Sequence, residues 1–241
     1  SPLIFFFFFL VAWLNGVTFG YIGFDSVRTY EPRIAERARD AVVDTLRIPE
    51  SILATYMSLV AFDHSTGEVI ISALSLLGDK RSYDAAVLRI QEIKTRLLDS
   101  TAPPVFDSSS ITPGQTAVSN HGQDGYRGFV EFLVSRIKAG DVVQTVPSHR
   151  LAQETPVAPF NLFRSLRKRN PSKYTFFMES GELRVIGSSP ELLVSVKDRV
   201  VETHPIAGTR RRGATPAADI EAANGLLADD KECAGHLMLV D

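Results

Sequence analysis

Apolar residues recur along the chain with two different spacings, which separate predicted helices from predicted strands. In Ser82–Leu98 and Gln123–Lys138 they recur every three or four positions, the spacing of an amphipathic helix. Ser82 is the predicted N-cap of the first helix, and Gly140 is the predicted stop of the second. The predicted buried stripe of the second helix consists of Tyr126, Phe129, Leu133 and Ile137.

Short apolar runs joined by turn residues predict antiparallel strands. Ser58–Phe62 and Val69–Ile71 flank a glycine-containing loop, which is a hairpin signal. Further strands are predicted at Asp141–Val146, Tyr174–Met178, Leu183–Ile186, Glu191–Val196 and Val200–Thr203. Because tight turns join antiparallel neighbours, we expect an α+β fold with a mainly antiparallel sheet flanked by helices.

Further helices are predicted from composition and capping residues. Thr29–Asp40 mixes charges with alanines, and Phe160–Arg169 ends before an Asn-Pro pair. Thr215 as N-cap and Pro216 at the first helical position begin another helix. A last helix is predicted to begin near Asp229.

The segment Thr101–His121 is rich in Ser, Pro, Thr and Gly and has no apolar periodicity, which predicts a linker. It divides the chain into predicted domains at residues 1–100 and 122–241.

The apolar run Leu3–Trp13 has eleven residues, and a membrane-spanning helix needs about 20. Neither a basic segment before it nor an Ala-x-Ala pattern after it indicates a secretory signal, so no membrane association is expected. Two interpretations of Phe5–Phe9 stay open: a buried strand, and a gene-model artefact from translated non-coding sequence.

Charge and cysteine content exclude some function classes. The 241 residues carry 26 basic and 28 acidic side chains, a net charge of −2, so nucleic-acid binding is not expected. The single cysteine, Cys233, rules out an internal disulfide and fits a reducing, cytoplasmic compartment. We interpret Cys233 as a packed structural thiol, because no His–Asn context surrounds it.

Several segments occur in the order found in one enzyme family. They are Gly20–Arg33 (GYIGFDSVRTYEPR), Ala61–His64, Ser119–Leu151, Asn170–Phe177, Ser188–Glu191, His204–Arg212 (HPIAGTRRR) and Glu232–Asp241 (ECAGHLMLVD). Together they resemble the chorismate-utilising enzymes, and most closely the large subunits of anthranilate synthase. The resemblance implies that residues 1–100 end an N-terminal domain and that 122–241 begin the chorismate-binding domain.

Gly208 and Thr209 are the candidate substrate-binding residues. A glycine lets backbone amides approach an anion closely, and the threonine adds a hydroxyl donor. The resemblance assigns this pair to chorismate, and the alternative is a surface turn with solvated arginines. Ala207 replaces the lysine of aminodeoxychorismate synthases, which can attack the ring as a nucleophile. Anthranilate synthase and isochorismate synthase therefore both remain open.

The resemblance also implies Mg²⁺, which prefers oxygen ligands. The family has two glutamates spaced i, i+3 on a helix, and only Glu232 matches the first. Gly235 stands where the principal metal ligand is expected. The alternative for Glu232 is a solvated residue paired with His236 or Lys231. The catalytic groups are unknown and expected beyond Asp241.

Two other family positions are weaker candidates. Tyr174 is the one retained residue of three that contact the inhibitor tryptophan in anthranilate synthases. Gln144, Ser148 and Arg150 match an element near the family's active-site core, and we interpret them as structural.

The resemblance as a whole implies a fragment of an anthranilate synthase large subunit. Such a lyase converts chorismate and ammonia to anthranilate and pyruvate in tryptophan biosynthesis, and a glutamine amidotransferase subunit supplies the ammonia. An isochorismate synthase-like enzyme and a non-catalytic truncated remnant are the alternatives. We expect the 241-residue chain to be inactive alone.

Overall fold

The computed structural model of the chain describes residues 17–38, 44–100 and 116–241. The chain divides into two compact units, Ser1–Pro156 and Val157–Asp241. Most of the predicted linker at 101–121 lies outside the described residues, as does Phe5–Phe9, and the domain assignment stays a prediction.

The described part of the first unit alternates paired strands with helices. Its elements are β1 (Val17–Ile22), a 3₁₀ turn (Phe24–Ser26), α1 (Val27–Tyr30), α2 (Pro32–Ala38), β2 (Ser51–Tyr56), β3 (Ser58–Asp63), β4 (Glu68–Ala73), α3 (Lys80–Leu98), β5 (Val118–Ser119), α4 (Gly122–Lys138) and β6 (Leu151–Ala152). The antiparallel pairs are β1 with β2, β3 with β4, and β5 with β6.

The second unit contains three helices and two hairpins. Its elements are α5 (Pro159–Arg169), β7 (Tyr174–Ser180), β8 (Leu183–Ser189), β9 (Ser195–Lys197), β10 (Val200–Glu202), α6 (Pro216–Leu227) and α7 (Asp230–Val240). β7 pairs with β8 and β9 with β10, again antiparallel. The predicted α+β class with antiparallel strands is confirmed, although the described strands form separate two-stranded sheets.

Left-handed residues close three of the described hairpins. Gly67 between β3 and β4 has φ 74°, and Gly181 between β7 and β8 has φ 57°. Asp198 and Arg199 between β9 and β10 have φ 51° and 67°. Positive φ at both central residues is the geometry that suits a two-residue hairpin loop.

The predicted N-cap of α3, Ser82, is wrong, because the helix begins three residues earlier. The carboxylate of Asp79 accepts a hydrogen bond from the Arg81 amide at 3.0 Å, so Asp79 is the N-cap. The hydroxyl of Ser82 instead accepts from the Leu76 amide at 2.7 Å. Aspartate and serine cap helices about equally well, and the earlier of the two begins this helix.

The predicted strand Asp141–Val146 is absent, and no described strand pairs with these residues. A strand needs a hydrogen-bonding neighbour, and local apolar character does not supply one. The predicted burial of the α4 stripe is also wrong within the described residues, because Phe129 is 43% and Ile137 is 41% exposed.

Tyr21 on β1 is the most buried side chain of the described first unit, at 1% exposure. Its hydroxyl donates to the Pro49 carbonyl at 2.6 Å, and burial raises the pKa of the phenol. Next to it, Arg28 and Glu50 form an ion pair at 2.6 Å. These contacts hold the predicted Gly20–Arg33 motif against the start of β2.

Gly20 permits the close approach of β1 and β2. A Cβ at this position would lie 1.8 Å from the Ile52 carbonyl oxygen, which belongs to backbone and cannot rotate away. We therefore expect Gly20→Ala to lower the free energy of unfolding by about 1–3 kcal/mol, measured by urea titration.

Gly128→Ala is the matched control for Gly20→Ala. Gly128 lies within α4, where an added Cβ meets nothing within 4 Å. This change should raise stability by about 0.5–1 kcal/mol, because alanine suits a helix better than glycine. Equal unfolding midpoints for the two variants would contradict the proposed close approach.

The hairpin β7–β8 forms the core of the second unit. Phe176 and Met178 are buried, at 8% and 4% exposure. The intervening Phe177 contacts two rings of α5, those of Phe160 and Phe163, at centroid distances of 5.4 and 5.8 Å. Phe176 and Met178 therefore lie on one face of β7 and Phe177 on the other, because successive side chains of a strand point to opposite faces.

Candidate active site

Hydrogen bonds connect two of the recognised motifs in the second unit. The Ser188 hydroxyl donates to the Asn170 carbonyl at 2.6 Å and lies 3.1 Å from the Thr175 hydroxyl. The Ser172 hydroxyl donates to the Ser189 carbonyl. The Asn170–Phe177 segment is thus tied to the turn at Ser188–Glu191.

The same turn holds the next motif. The Glu191 carboxylate accepts a hydrogen bond from the Ile206 amide at 2.7 Å. The His204 amide donates to the Leu192 carbonyl at 3.4 Å. Glu191 therefore fixes the start of the His204–Arg212 segment, which is a role for this glutamate that the sequence did not reveal.

The predicted substrate-binding loop packs on the predicted metal-binding helix. A Cβ built on Gly208 would lie 2.6 Å from Glu232 Oε2 and 2.9 Å from Glu232 Cβ. Only a residue without a side chain fits at this distance. Gly208 is half-buried and Thr209 is exposed, so the threonine hydroxyl is accessible to a ligand. The structure brings Gly208 and Glu232 together, as a shared site requires.

Arg210 joins this loop to the beginning of α7. Its Nη2 donates to Asp229 Oδ2 at 2.7 Å, and its Nη1 donates to the Thr209 carbonyl at 3.1 Å. Arg210 Nη1 also lies 3.8 Å from Glu232 Oε1. The local sequence does not distinguish this arginine from its neighbours, because its contact with α7 depends on how the loop returns to the helix.

Asp229 caps α7, as the predicted start of this helix requires. Its Oδ1 accepts from the amides of Lys231 at 3.1 Å and Glu232 at 3.2 Å. The hydrogen bond from the Glu232 amide, together with the charge of Arg210, lowers the pKa of the Asp229 carboxyl. Asp229 is thus held as a carboxylate at the positive end of the helix.

The other end of the loop is held by a two-point ion pair. Arg212 Nε donates to Asp219 Oδ1 at 2.7 Å, and its Nη2 donates to Oδ2 at 2.5 Å. Arg212 and then the Gly213 amide lower the pKa of Asp219. The resulting stabilisation is present above the ordinary carboxyl pKa and is lost as pH falls through the lowered value. Thr215 caps α6 as predicted, accepting from the Ala218 amide at 3.2 Å.

Glu232 can supply one oxygen ligand to a magnesium ion, but the residues around it do not form a complete magnesium site. Glu232 Oε1 lies 3.4 Å from Lys231 Nζ, the pairing expected from its alternative interpretation. An added Cβ on Gly235 meets nothing within 4 Å. Across the described ranges, no group of three or more His, Cys, Asp or Glu side chains could hold a metal ion. Mg²⁺ takes octahedral oxygen coordination, which one carboxylate does not provide.

The remaining candidates have structural contacts. The Arg150 amide donates to Asn120 Oδ1 at 3.0 Å, and its guanidinium donates to Thr45 Oγ1 at 2.9 Å. The Cys233 thiol donates to the Leu227 carbonyl at 3.3 Å. Tyr174 lies on β7, where its amide donates to the Ser172 hydroxyl at 3.0 Å. Inhibitor binding at Tyr174 stays a prediction.

Comparison with known proteins identifies the family. The family model described as a chorismate binding enzyme matches residues 9–241. The chain therefore belongs to the chorismate-binding enzyme family. Within that family it is similar to the probable anthranilate synthase component 1 of Schizosaccharomyces pombe, with 40% identity over 94% of the chain and 46% of the relative.

Two further relatives support the same assignment. Anthranilate synthase component 1 of Saccharomyces cerevisiae is 40% identical over 95% of the chain and 45% of its own length. The crystal structure of anthranilate synthase component I from Streptococcus pneumoniae superposes with a TM-score of 0.77 at 30% identity, covering 97% of this chain and 51% of that one. The chain spans about half the length of the relatives that it matches.

No helix in the described ranges is long and apolar enough to cross a membrane.

Proposed function

We propose that the chain is part of an anthranilate synthase large subunit and supplies its substrate loop and one acidic residue of its metal site. The observation that carries the proposal is the packing of Gly208 on Glu232. This contact places a glycine–threonine loop, suited to an anion, beside a carboxylate suited to a cation. The similarity to component 1 enzymes supports the same function.

The reaction is the conversion of chorismate and ammonia to anthranilate and pyruvate, a lyase step of tryptophan biosynthesis in the cytoplasm. Chorismate carries two carboxylates, and the Thr209 hydroxyl and the backbone at Gly208 bind one of them. Mg²⁺, when bound, supplies Lewis acidity at the substrate. Glu232 provides one oxygen ligand, and further ligands come from the substrate and the rest of the whole protein.

The partner is a glutamine amidotransferase subunit that supplies ammonia. Residues 1–100 belong to the N-terminal domain, 101–121 form the linker and 122–241 begin the chorismate-binding domain. The groups that perform acid–base chemistry lie in the part of the large subunit that the 241 residues do not include.

The test uses a whole-length chimera in which this chain replaces the aligned region of the S. cerevisiae component 1. Chorismate, Mg²⁺ and an ammonium salt are supplied, and anthranilate is measured by its fluorescence. We expect anthranilate from the chimera and none from the 241-residue chain alone.

The products distinguish the alternatives. Isochorismate formed without an ammonia source would replace the proposal with an isochorismate synthase-like function. A folded chimera that forms neither product would identify the chain as a non-catalytic remnant. Glu232→Gln in the chimera tests the metal role and should weaken the apparent affinity for Mg²⁺.

A further inference from the structure

Arg210 contacts both sides of the junction between the substrate loop and α7. We propose that Arg210 is a positioning residue, which holds Gly208 and Thr209 on the first turn of α7 and orients the Glu232 carboxylate toward them. The inference rests on the proposed function, because it concerns the same loop and helix. Nothing in the local sequence pattern separates Arg210 from Arg211 and Arg212.

On the loop side, the guanidinium folds back over the chain. Arg210 Nη1 donates to the carbonyl of Thr209, the residue immediately before it, at 3.1 Å. The carbonyl is therefore held by the arginine's own side chain, and the Thr209 side chain remains exposed. The position of the guanidinium consequently determines where the Thr209–Arg210 peptide, at the end of the substrate loop, lies.

On the helix side, the two oxygens of Asp229 have separate functions. Oδ1 accepts from the Lys231 and Glu232 amides and caps the helix. Oδ2 accepts from Arg210 Nη2 at 2.7 Å, which is a charge-assisted hydrogen bond. Removing the Arg210 guanidinium should thus leave Asp229 capping α7 while the substrate loop loses its attachment to the helix.

Glu232 is held from two directions. Its Oε1 lies 3.8 Å from Arg210 Nη1, within ion-pair range but beyond hydrogen-bonding distance. Its Oε2 is the atom nearest to the space that a Cβ on Gly208 would fill. Lys231 Nζ lies 3.4 Å from the same Oε1. Arg210 therefore attracts this oxygen together with Lys231, from the side of the loop, while Oε2 stays against Gly208.

The neighbouring arginines provide the control. Arg212 is bound to Asp219 on α6 and serves the far end of the loop. Arg211 has an exposed side chain and lies in the same loop, with the same charge as Arg210. Arg211→Gln removes an equal charge from the same segment, so it separates the specific contact from the general electrostatic field.

The first measurement is made on the 241-residue chain and is independent of catalysis. Nuclear Overhauser effects between the Gly208 α protons and the Glu232 side-chain protons report the packing of loop on helix. We expect them in the unmodified chain and in Arg211→Gln, and we expect their loss in Arg210→Gln. Their retention in Arg210→Gln would overturn the inference, whatever the chimera catalyses.

The second measurement is steady-state kinetics in the chimera. Arg210→Gln should raise the KM for chorismate about tenfold and change kcat less than about twofold, because a charge-assisted contact that places the binding loop is lost. Arg210→Lys should restore part of the affinity, since lysine returns the positive charge but not the paired N–H donors of the guanidinium.

A purely structural role for Arg210 would lower the amount of active enzyme, and so the apparent kcat, without changing KM. That result would overturn the inference, whereas an inactive unmodified chimera would count against the proposed function alone.

Discussion

Gly208→Ala in the chimera is expected to lower kcat/KM for chorismate by about a hundredfold, the size of effect that a displacement of about 1 Å produces in an active site. The new Cβ would lie 2.6 Å from Glu232 Oε2, which can rotate away, but also 2.9 Å from Glu232 Cβ, which cannot do so without moving α7. The loop must therefore shift, and Thr209 shifts with it. Initial rates over a range of chorismate concentrations measure the loss.

The matched control for this loss is Gly225→Ala. Gly225 lies within α6, where an added Cβ has open space around it. Alanine there should leave the rate unchanged and add roughly 0.5–1 kcal/mol of stability through helix propensity. A chimera with Gly208→Ala that is as active as the Gly225→Ala control would show that the loop does not need to contact Glu232.

Local features of the fold were predictable because each depends on a few adjacent residues. The caps at Thr215 and Asp229 satisfy the first amides of their own helices, and both helices begin as predicted. The β7–β8 hairpin follows from alternating side chains and a glycine at a left-handed turn. By contrast, the strand predicted at Asp141–Val146 depended on a hydrogen-bonding partner, which no local pattern reveals.

The candidate site divides in the same way. Gly208 and Glu232 were identified separately by resemblance, but their contact depends on the path of the intervening loop and α6. Ion pairs between residues that are not adjacent in the sequence hold that path: Arg212 with Asp219, seven positions on, and Arg210 with Asp229, nineteen positions on. Each arginine could pair with several carboxylates in the sequence. Only the folded backbone selects which pairs form.

The two positions of α7 that could face a metal ion differ: position 232 carries a carboxylate, and position 235 carries no side chain. Glu232 is oriented by Arg210 and lies 3.4 Å from Lys231 Nζ, so two cations already compensate its charge. One helical turn further on, Gly235 contributes no side chain. A magnesium ion at this position therefore receives less negative charge from the helix than a pair of glutamates would provide, and it competes with the two cations for Glu232.

Gly235→Glu in the chimera is accordingly expected to strengthen apparent Mg²⁺ affinity by about tenfold and to raise the rate at limiting Mg²⁺. Positions 232 and 235 are one turn apart, so both carboxylates can face one ion, and nothing lies within 4 Å of the added Cβ. Replacing a helical glycine should add roughly 0.5–1 kcal/mol of stability, which exceeds the repulsion of about 0.2–0.5 kcal/mol between like charges one turn apart. Gly235→Gln has the same length and a similar helix propensity without the charge, so it should gain stability but not Mg²⁺ affinity. Magnesium titrations of the initial rate compare the three chimeras, and equal apparent affinities for the glutamate and glutamine variants would mean that residue 235 does not face the metal.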